Sequence, residues 1–214
     1  MAQERQGDAK KPPVIVTMIS CVQREEARSL TIPQLERFGL RPHLFLSPCD
    51  PAGPEQNNLV SREAVRTALE HDDDLLFTED DIDFSPAFPD RLAEATGVTY
   101  FYLNDRPERL FTTYGYEIAP KILHKEEITP GLYEAKSYKH LFGAQCVFLP
   151  KRILKHVLNF LIAHPMQPFD GSLSLLLKKR KEPVTIALPH PVQHRHDRTA
   201  RVPDDRIKRS MSYR

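Results

Sequence analysis

Residues 75–84 read LLFTEDDIDF, an apolar run that passes directly into four closely spaced carboxylates. An uninterrupted apolar run is typical of a strand buried on both faces of a sheet. Two similar strands and two helices are predicted before it, in alternating order. The strands are predicted at residues 14–20, 42–46 and 75–78, and the helices at 24–38 and 60–70. This alternation predicts an α/β domain with a mainly parallel sheet, in which the acidic residues follow a buried strand.

The rest of the chain adds further strands and helices to the same domain. We predict strands at residues 98–103, 146–149 and 184–188, and helices at 151–163 and 171–181. Residues 104–140 carry scattered aromatic side chains without a clear period, and they are predicted to be irregular. The expected organisation is a disordered leader at 1–12, one α/β domain at 13–194 and a basic C-terminal tail at 195–214.

Charge is distributed unevenly along the chain of 214 residues. Thirty Lys and Arg residues nearly balance 29 Asp and Glu residues, which gives a formal net charge of +1. That sum by itself argues against a protein built mainly to bind nucleic acid or an anionic membrane. However, residues 70–90 contain nine acidic residues and no Lys or Arg, whereas residues 195–214 contain seven Lys or Arg against three Asp. Opposed patches of this kind suit a site for a cation and phosphates, so a polyanionic partner is not excluded.

Composition excludes several classes of protein. No apolar run approaches the roughly 20 residues that a membrane-spanning helix needs. The polar N-terminus shows no signal peptide. The three cysteines, Cys21, Cys49 and Cys146, are too widely spaced for a disulfide framework or a zinc knuckle, which indicates a reducing compartment. We therefore expect a cytoplasmic protein.

Glu79, Asp80 and Asp81 are the strongest candidates for a binding site. Ligands of open α/β sheets bind beyond the carboxyl ends of the strands, where these residues are expected. Burial raises the pKa of clustered carboxylates unless a cation compensates, and oxygen ligands suit Mg²⁺ or Mn²⁺. Asp81 and Asp83 also form a literal Asp-x-Asp pair. The alternative is a solvated acidic turn, which is the interpretation we favour for Asp72–Asp74 before the strand.

Asp170 is the second candidate and lies in the segment PFDGS at residues 168–172. It precedes a predicted helix, so the simplest role is an N-cap, which stabilises a helix by about 1 kcal/mol. An N-cap carboxylate that faces a cleft can also act as a general base. The two roles are compatible.

Three histidines follow the last predicted strand, at His190, His194 and His196. A lone histidine is usually structural, but three within seven residues also suit contact with a metal ion or phosphate, and imidazole suits Mn²⁺ better than Mg²⁺. Arg24 follows the first strand, where it would either hold a diphosphate or lie in the solvated first turn of a helix. Both interpretations stay open for these residues.

Basic residues cluster at two places. Lys178–Lys181 ends a predicted helix, where cations complement the helix dipole, so no further role is required. The tail from Arg195 onward would close over phosphates, bind a polyanionic acceptor, or simply be solvated. These three alternatives stay open.

The order of these motifs resembles that of the GT-A glycosyltransferases, in particular the lipooligosaccharide-type, family 25-like enzymes and their small bacterial and phage relatives. The matching segments are VIVTMISCVQR at 14–24, LLFTEDDIDF at 75–84, FGAQCVFLPKRIL at 142–154, PFDGSLSLLL at 168–177 and LPHPVQHRHD at 188–197. Residues 85–141 are unmatched. The N-terminal Asn-Leu-Asp-Arg pattern of the lipooligosaccharide enzymes is missing.

The resemblance implies a Rossmann-like domain that transfers a sugar from a nucleotide-sugar, with a UDP-sugar as the leading candidate, to an acceptor hydroxyl. It also implies a divalent cofactor, Mn²⁺ or Mg²⁺. With Asp170 as the general base, the reaction is expected to be inverting. The implied residues are Asp81, Asp83 and His194 for the metal, Glu79, Asp80 and Arg24 for the nucleotide-sugar, and Asp170 as the catalytic base. In a retaining reaction Asp170 would instead position the substrates.

Other functions are compatible with the same residues. The default acceptor is a glycan, and the main alternative is a hydroxymethylated base in DNA, which would have to leave the base stack. A non-catalytic nucleic-acid-binding module, in which the acidic residues only end a strand, would bind neither metal nor nucleotide. A metal-dependent nucleotidyltransferase normally needs a glycine-rich phosphate loop, and the eight glycines form none.

Overall fold

The structure is a computed structural model, and it describes residues 14–48, 54–103, 106–139, 141 and 144–195. The predictions for the leader at 1–12, for Cys49, for His196 and for the tail at 196–214 lie outside the described residues. No helix in the part of the chain that the structure describes is long and apolar enough to span a membrane.

The first half of the chain alternates strands and helices as predicted. The elements are β1 (Val14–Cys21), α1 (Glu25–Arg37), β2 (Pro42–Ser47), α2 (Pro54–Glu70) and β3 (Asp74–Glu79). Strand β1 pairs in parallel with both β2 and β3. Helix α2 begins six residues before the predicted start at residue 60, because a proline is tolerated in a first helical turn and Glu55 favours that end of the helix dipole.

The second half is more broken and includes elements that the sequence did not predict. The elements are β4 (Ile82–Phe84), α3 (Phe88–Glu94), β5 (Val98–Tyr100), α4 (Pro107–Leu123), β6 (Gly131–Glu134), β7 (Cys146–Leu149), α5 (Lys151–Ala163), α6 (Phe169–Arg180), β8 (Val184–Leu188) and β9 (Val192–His194). The prediction that residues 104–140 are irregular is wrong, because they contain α4 and β6. Gly115, with φ 74°, kinks α4 and divides its apolar stripe into two short pieces, which hides the helical period.

The central sheet has seven strands in the order β2-β1-β3-β7-β5-β8-β6. The pairings give β1, β2, β3, β5 and β8 one direction, while β7 and β6 run the opposite way. The predicted α/β domain with a mainly parallel sheet is therefore confirmed. A second sheet of two antiparallel strands, β4 and β9, lies beside the acidic residues.

Both faces of the central sheet are covered by apolar side chains. Leu75 and Phe77 of β3 pack into one buried cluster, whereas Leu76, between them, packs into a second cluster with Met18 of β1. Successive side chains of a strand point to opposite faces, so a strand covered on both sides needs an unbroken apolar run. This burial explains the sequence LLF and places the acidic residues at the end of an internal strand.

Candidate metal centre

The acidic turn at the end of β3 is buried. Glu79 ends β3, and Asp80 and Asp81 form the turn that leads into β4. Asp80 and Asp81 are each 1% exposed, and Glu79 is partly buried. A solvated acidic turn is therefore not what the structure shows for the two aspartates. The backbone N–H of Arg195 donates to the Asp81 carbonyl oxygen at 2.7 Å, which ties the turn to the end of β9.

Arg24 supplies positive charge to this turn. It directly follows the loop after β1, and its guanidinium contacts Asp80 Oδ1 at 3.3 Å through Nη1 and Asp81 Oδ2 at 2.8 Å through Nη2. Its side chain is 17% exposed. The alternative of a solvated first helical turn does not fit this placement, because the side chain points at the acidic turn rather than into water.

Strand β9 brings His194 to the same place. The pairing of β4 with β9 sets Ile82 opposite His194, so the imidazole lies beside the turn that precedes Ile82. His194 Nε2 lies 3.1 Å from Asp81 Oδ2, and Nδ1 lies 2.8 Å from the Arg195 carbonyl oxygen. A carbonyl partner selects the tautomer with hydrogen on Nδ1 and leaves Nε2 available as a ligand atom.

Glu79, Asp81 and His194 together could hold a metal ion. Each offers one ligand atom, and the three atoms lie within 4.8 Å of one another. Asp81 Oδ1 is buried and has no hydrogen-bond partner among the described residues. An unpartnered buried carboxylate oxygen costs free energy that coordination of a cation would offset. The donor set of two carboxylates and an imidazole therefore fits a divalent ion.

The pKa values of these three groups are shifted in different directions. Burial, followed by the charge of Asp81, raises the pKa of Glu79 to about 8. Burial would also raise the pKa of Asp81, but the hydrogen bond and charge of His194 and the charge of Arg24 outweigh it and lower the pKa to about 2. Burial acts to lower the pKa of His194, and its contact with Asp81 raises it overall. A proton on Glu79 or on His194 would therefore compete with a bound cation for the same ligand atom.

Asp80 is held by residues of its own chain. Ser20 donates a hydrogen bond to Asp80 Oδ2, and Arg28 Nη1 donates to Ser20 Oγ at 2.9 Å. Burial is the first cause of a raised pKa at Asp80, although the Ser20 hydrogen bond and Arg24 act against it. With these partners Asp80 anchors Arg24 and the turn. Its expected contact with a nucleotide stays a prediction.

Asp83 lies outside the group that could hold a metal ion. It is the middle residue of β4, opposite Gln193, and its side chain is 42% exposed. Gln34 Nε2 donates to Asp83 Oδ1 at 3.0 Å, and Arg195 Nε lies 3.2 Å from the same oxygen. Among the described residues, the group that could hold a metal ion includes Asp81 but not Asp83. The structure thus pairs Asp81 with His194 rather than with Asp83.

Arg195 fixes the acidic turn from the other side. Its Nη2 donates to the carbonyl oxygens of Ile82 at 2.8 Å and Asp80 at 3.2 Å, and it also contacts Thr31 Oγ1. The sequence interpretation treated Arg195 only as the start of a basic tail. No local pattern marks this role, because the contacts join residues more than 110 positions apart.

Asp170 is the second residue of α6, so the expected N-cap is wrong. The N-cap position belongs to Pro168, and Asp170 Oδ1 accepts a hydrogen bond from the backbone N–H of Gly171 at 2.7 Å. Phe169 stacks on Phe77 of β3 with ring centroids 4.0 Å apart, which fixes the start of α6 against the sheet. The negative charge of Asp170 contributes to the raised pKa of Glu79, so the two carboxyl groups are close enough to interact.

His190 has a structural position instead of a ligand position. It is fully buried, its Nδ1 accepts from the backbone N–H of Leu103 at 3.2 Å, and its Nε2 lies 3.1 Å from Tyr114 Oη. Within the described residues, His194 is the one member of the histidine group that reaches the acidic turn. Of the two described histidines of this group, only His194 therefore lies at the acidic turn, and the closeness of His190 in sequence does not bring it there.

The fold and the site together define an α/β protein with a candidate metal centre at the carboxyl end of a central strand. Neither the protein-family models nor the curated protein sequences contain a match to the chain. No family is therefore assigned, and the residues of the site carry the functional proposal.

Proposed function

We propose that the protein is a metal-dependent glycosyltransferase that moves a sugar from a nucleotide-sugar to an acceptor hydroxyl. The observation that carries the proposal is the buried group of Glu79, Asp81 and His194 with its unpartnered carboxylate oxygen. The group lies where open α/β sheets bind ligands, and ions held by few protein carboxylates are commonly shared with substrate phosphates. The resemblance to GT-A enzymes points to the same donor class.

The site residues have distinct roles in this proposal. Glu79, Asp81 and His194 would hold Mn²⁺ or Mg²⁺, and the bound ion would supply positive charge to neutralise the leaving nucleoside diphosphate. Arg24 adds a fixed positive charge beside the same group, and its contacts with Asp80 and Asp81 orient the guanidinium. Because Asp80 and Asp81 are buried, these charges act in a region of low dielectric constant, where they are stronger than in water.

Asp170 is the proposed general base. Its carboxylate is oriented by the Gly171 N–H, and the packing of Phe169 on Phe77 fixes the first turn of α6. A carboxylate held in this way would accept the proton of the acceptor hydroxyl as that oxygen attacks the anomeric carbon, which gives inversion. The acceptor is proposed to be a glycan by resemblance, with a hydroxymethylated DNA base as the alternative.

Isothermal titration of the full chain with Mn²⁺, followed by a screen of UDP- and GDP-sugars for Mn²⁺-dependent binding and hydrolysis, tests this function. Wild-type protein should bind Mn²⁺ and at least one sugar nucleotide, and Asp81→Asn and Glu79→Gln should each weaken Mn²⁺ binding by a hundredfold or more. Asp73→Asn is the matched control, because it makes the same change at the other end of β3. Tight Mn²⁺ binding by Asp81→Asn, or no donor bound by wild type, would overturn the proposal.

A further inference from the structure

Helices α5 and α6 form a groove that the metal centre does not use. The cavity between them has a volume of about 590 Å³. The lining residues are His156, Asn159, Phe160 and Ala163 of α5, the C-cap residue His164 that follows it, and Leu176, Lys179 and Arg180 of α6. We refer to this cavity as the α5–α6 groove.

The charge of the groove is one-sided. None of the described residues that line it is acidic, and α5 as a whole contains no Asp or Glu. The one acidic residue of α6 is Asp170, in the first turn, whereas Lys179 and Arg180 lie in the last. Cations in a last turn complement the helix dipole, but the dipole does not require a facing helix without carboxylates. The surplus charge is therefore available to an anionic ligand.

The groove also contains an aromatic side chain. Phe160 is partly buried, and its ring lies against His164 with centroids 4.3 Å apart. Leu176 is buried, and Asn159 is exposed with an amide that can donate and accept hydrogen bonds. An anion that also offers flat rings and hydrogen-bonding edges would use all of these groups.

We propose that the α5–α6 groove binds single-stranded nucleic acid. Proteins bind such strands by pairing cations with phosphates and by stacking bases on aromatic side chains, which matches the roles available to Lys179, Arg180 and Phe160. A membrane-binding helix would instead present a continuous apolar face, but the apolar residues Leu154, Val157 and Leu161 of α5 are buried in the core.

The groove and the proposed base share one helix. Lys179 is nine residues after Asp170, which corresponds to about 14 Å along an α-helix. Nine residues at about 100° each also place Lys179 on the face of α6 opposite Asp170, so the groove does not present a strand to the proposed transfer. Binding itself does not depend on that transfer, so it is measured in chelator, where a failed glycosyltransferase proposal leaves the result unaffected.

Fluorescence anisotropy of the full chain with a labelled 20-nucleotide oligo-dT, in EDTA and over a range of salt concentrations, tests the groove. The double variant Lys179→Ala/Arg180→Ala should bind about tenfold more weakly, and its log–log salt slope should fall by about 1.4, which is about 0.7 for each lost phosphate contact. Phe160→Leu should weaken binding without changing the slope, because stacking is not ionic. Arg41→Ala/Lys121→Ala removes two exposed charges elsewhere and should bind as wild type does.

Three outcomes would overturn the inference. Wild-type protein that does not bind oligo-dT contradicts it directly. Equal binding by the groove variant and the Arg41/Lys121 control, with both melting at the wild-type temperature, places the strand elsewhere on the chain. Binding of phosphatidylglycerol vesicles that depends on Lys179 and Arg180, while oligo-dT binding does not, assigns the groove to a membrane surface.

Discussion

Three acidic residues lie at each end of strand β3, Asp72–Asp74 at the amino end and Glu79–Asp81 at the carboxyl end. The two groups carry the same formal charge but differ in burial and in the residues that contact them. At the amino end, Asp72 pairs with Lys151 at 3.1 Å, and both side chains are mostly exposed. Asp74 accepts a hydrogen bond from the backbone N–H of Lys151 at 2.8 Å. At the carboxyl end, Asp80 and Asp81 are buried and depend on Arg24 for charge compensation.

The difference comes from what the fold places over each end. The amino end of β3 meets the start of α5 and water. The carboxyl end is covered by the small sheet of β4 and β9, which adds His194 and Arg195. Because Asp80 and Asp81 are buried, their charges need a nearby cation. The exposed Asp72 at the amino end can be hydrated instead. The predictions below test this contrast, from the largest expected effect to the smallest.

Removing the cation at each end should give unequal losses of stability. Arg24→Ala leaves two buried carboxylates without their cation and should lower the free energy of unfolding by about 3 kcal/mol. Lys151→Ala removes an exposed pair and should cost about 0.5 kcal/mol. Urea unfolding of both variants in EDTA measures the two values. Similar losses would show that the two ends are equally solvated.

The stability of metal-free protein should fall as pH rises from about 4.5 to about 8. Glu79 has a pKa of about 8 when folded against a reference value of 4.5, so folded protein holds a proton that unfolded protein has released. Stability from this group is complete below pH 4.5 and is lost as pH rises through 8. Asp81 acts in the opposite sense but only as pH falls below about 4 toward 2.

Thermal or urea unfolding at several pH values checks this slope. Glu79→Gln should flatten it below about pH 6.5, above which the raised pKa of His194 also lowers stability, and Asp73→Asn at the other end of β3 should leave it unchanged. Saturating Mn²⁺ should reverse it, because binding of the ion requires Glu79 and His194 to lose their protons. A wild-type protein whose stability is constant across this range would contradict the burial of Glu79.

The sequence predicted the contrast only in part. The apolar run before Glu79 and the position of the acidic residues after a strand were enough to place a site at the right end of β3. The sequence also predicted Asp72–Asp74 to be a solvated turn, but only Asp72 is exposed, and the partly buried Asp74 is the first residue of β3. It did not predict β4 and β9, because a strand of three residues is too short to show alternation of apolar and polar side chains. Their pairing also joins residues 82–84 with the distant residues 192–194, which no local pattern indicates.

Substituting Arg195 should weaken the metal centre without removing a ligand. Arg195→Lys loses the planar fork that contacts the carbonyl oxygens of Asp80 and Ile82, so the affinity for Mn²⁺ should fall about tenfold. Asp83→Asn keeps those carbonyl contacts and loses only a partly exposed ion pair, so it should change affinity by less than about threefold. Titration calorimetry compares the Mn²⁺ affinities of the two variants. A larger loss of affinity in Asp83→Asn than in Arg195→Lys would indicate that Asp83 is a metal ligand.

The smallest effect on Mn²⁺ affinity is expected from Asp74→Ala at the amino end of β3. Asp74 accepts from the first N–H of α5, so its loss should cost about 1 kcal/mol of stability, as for other capping residues. The affinity for Mn²⁺ should not change, because the five following residues of β3 pair with β1 and the first four of them also pair with β7. A weaker Mn²⁺ affinity in Asp74→Ala, measured at a temperature where the variant is folded, would mean that β3 transmits a shift along its length. The two acidic runs would then be parts of one coupled element rather than independent ends.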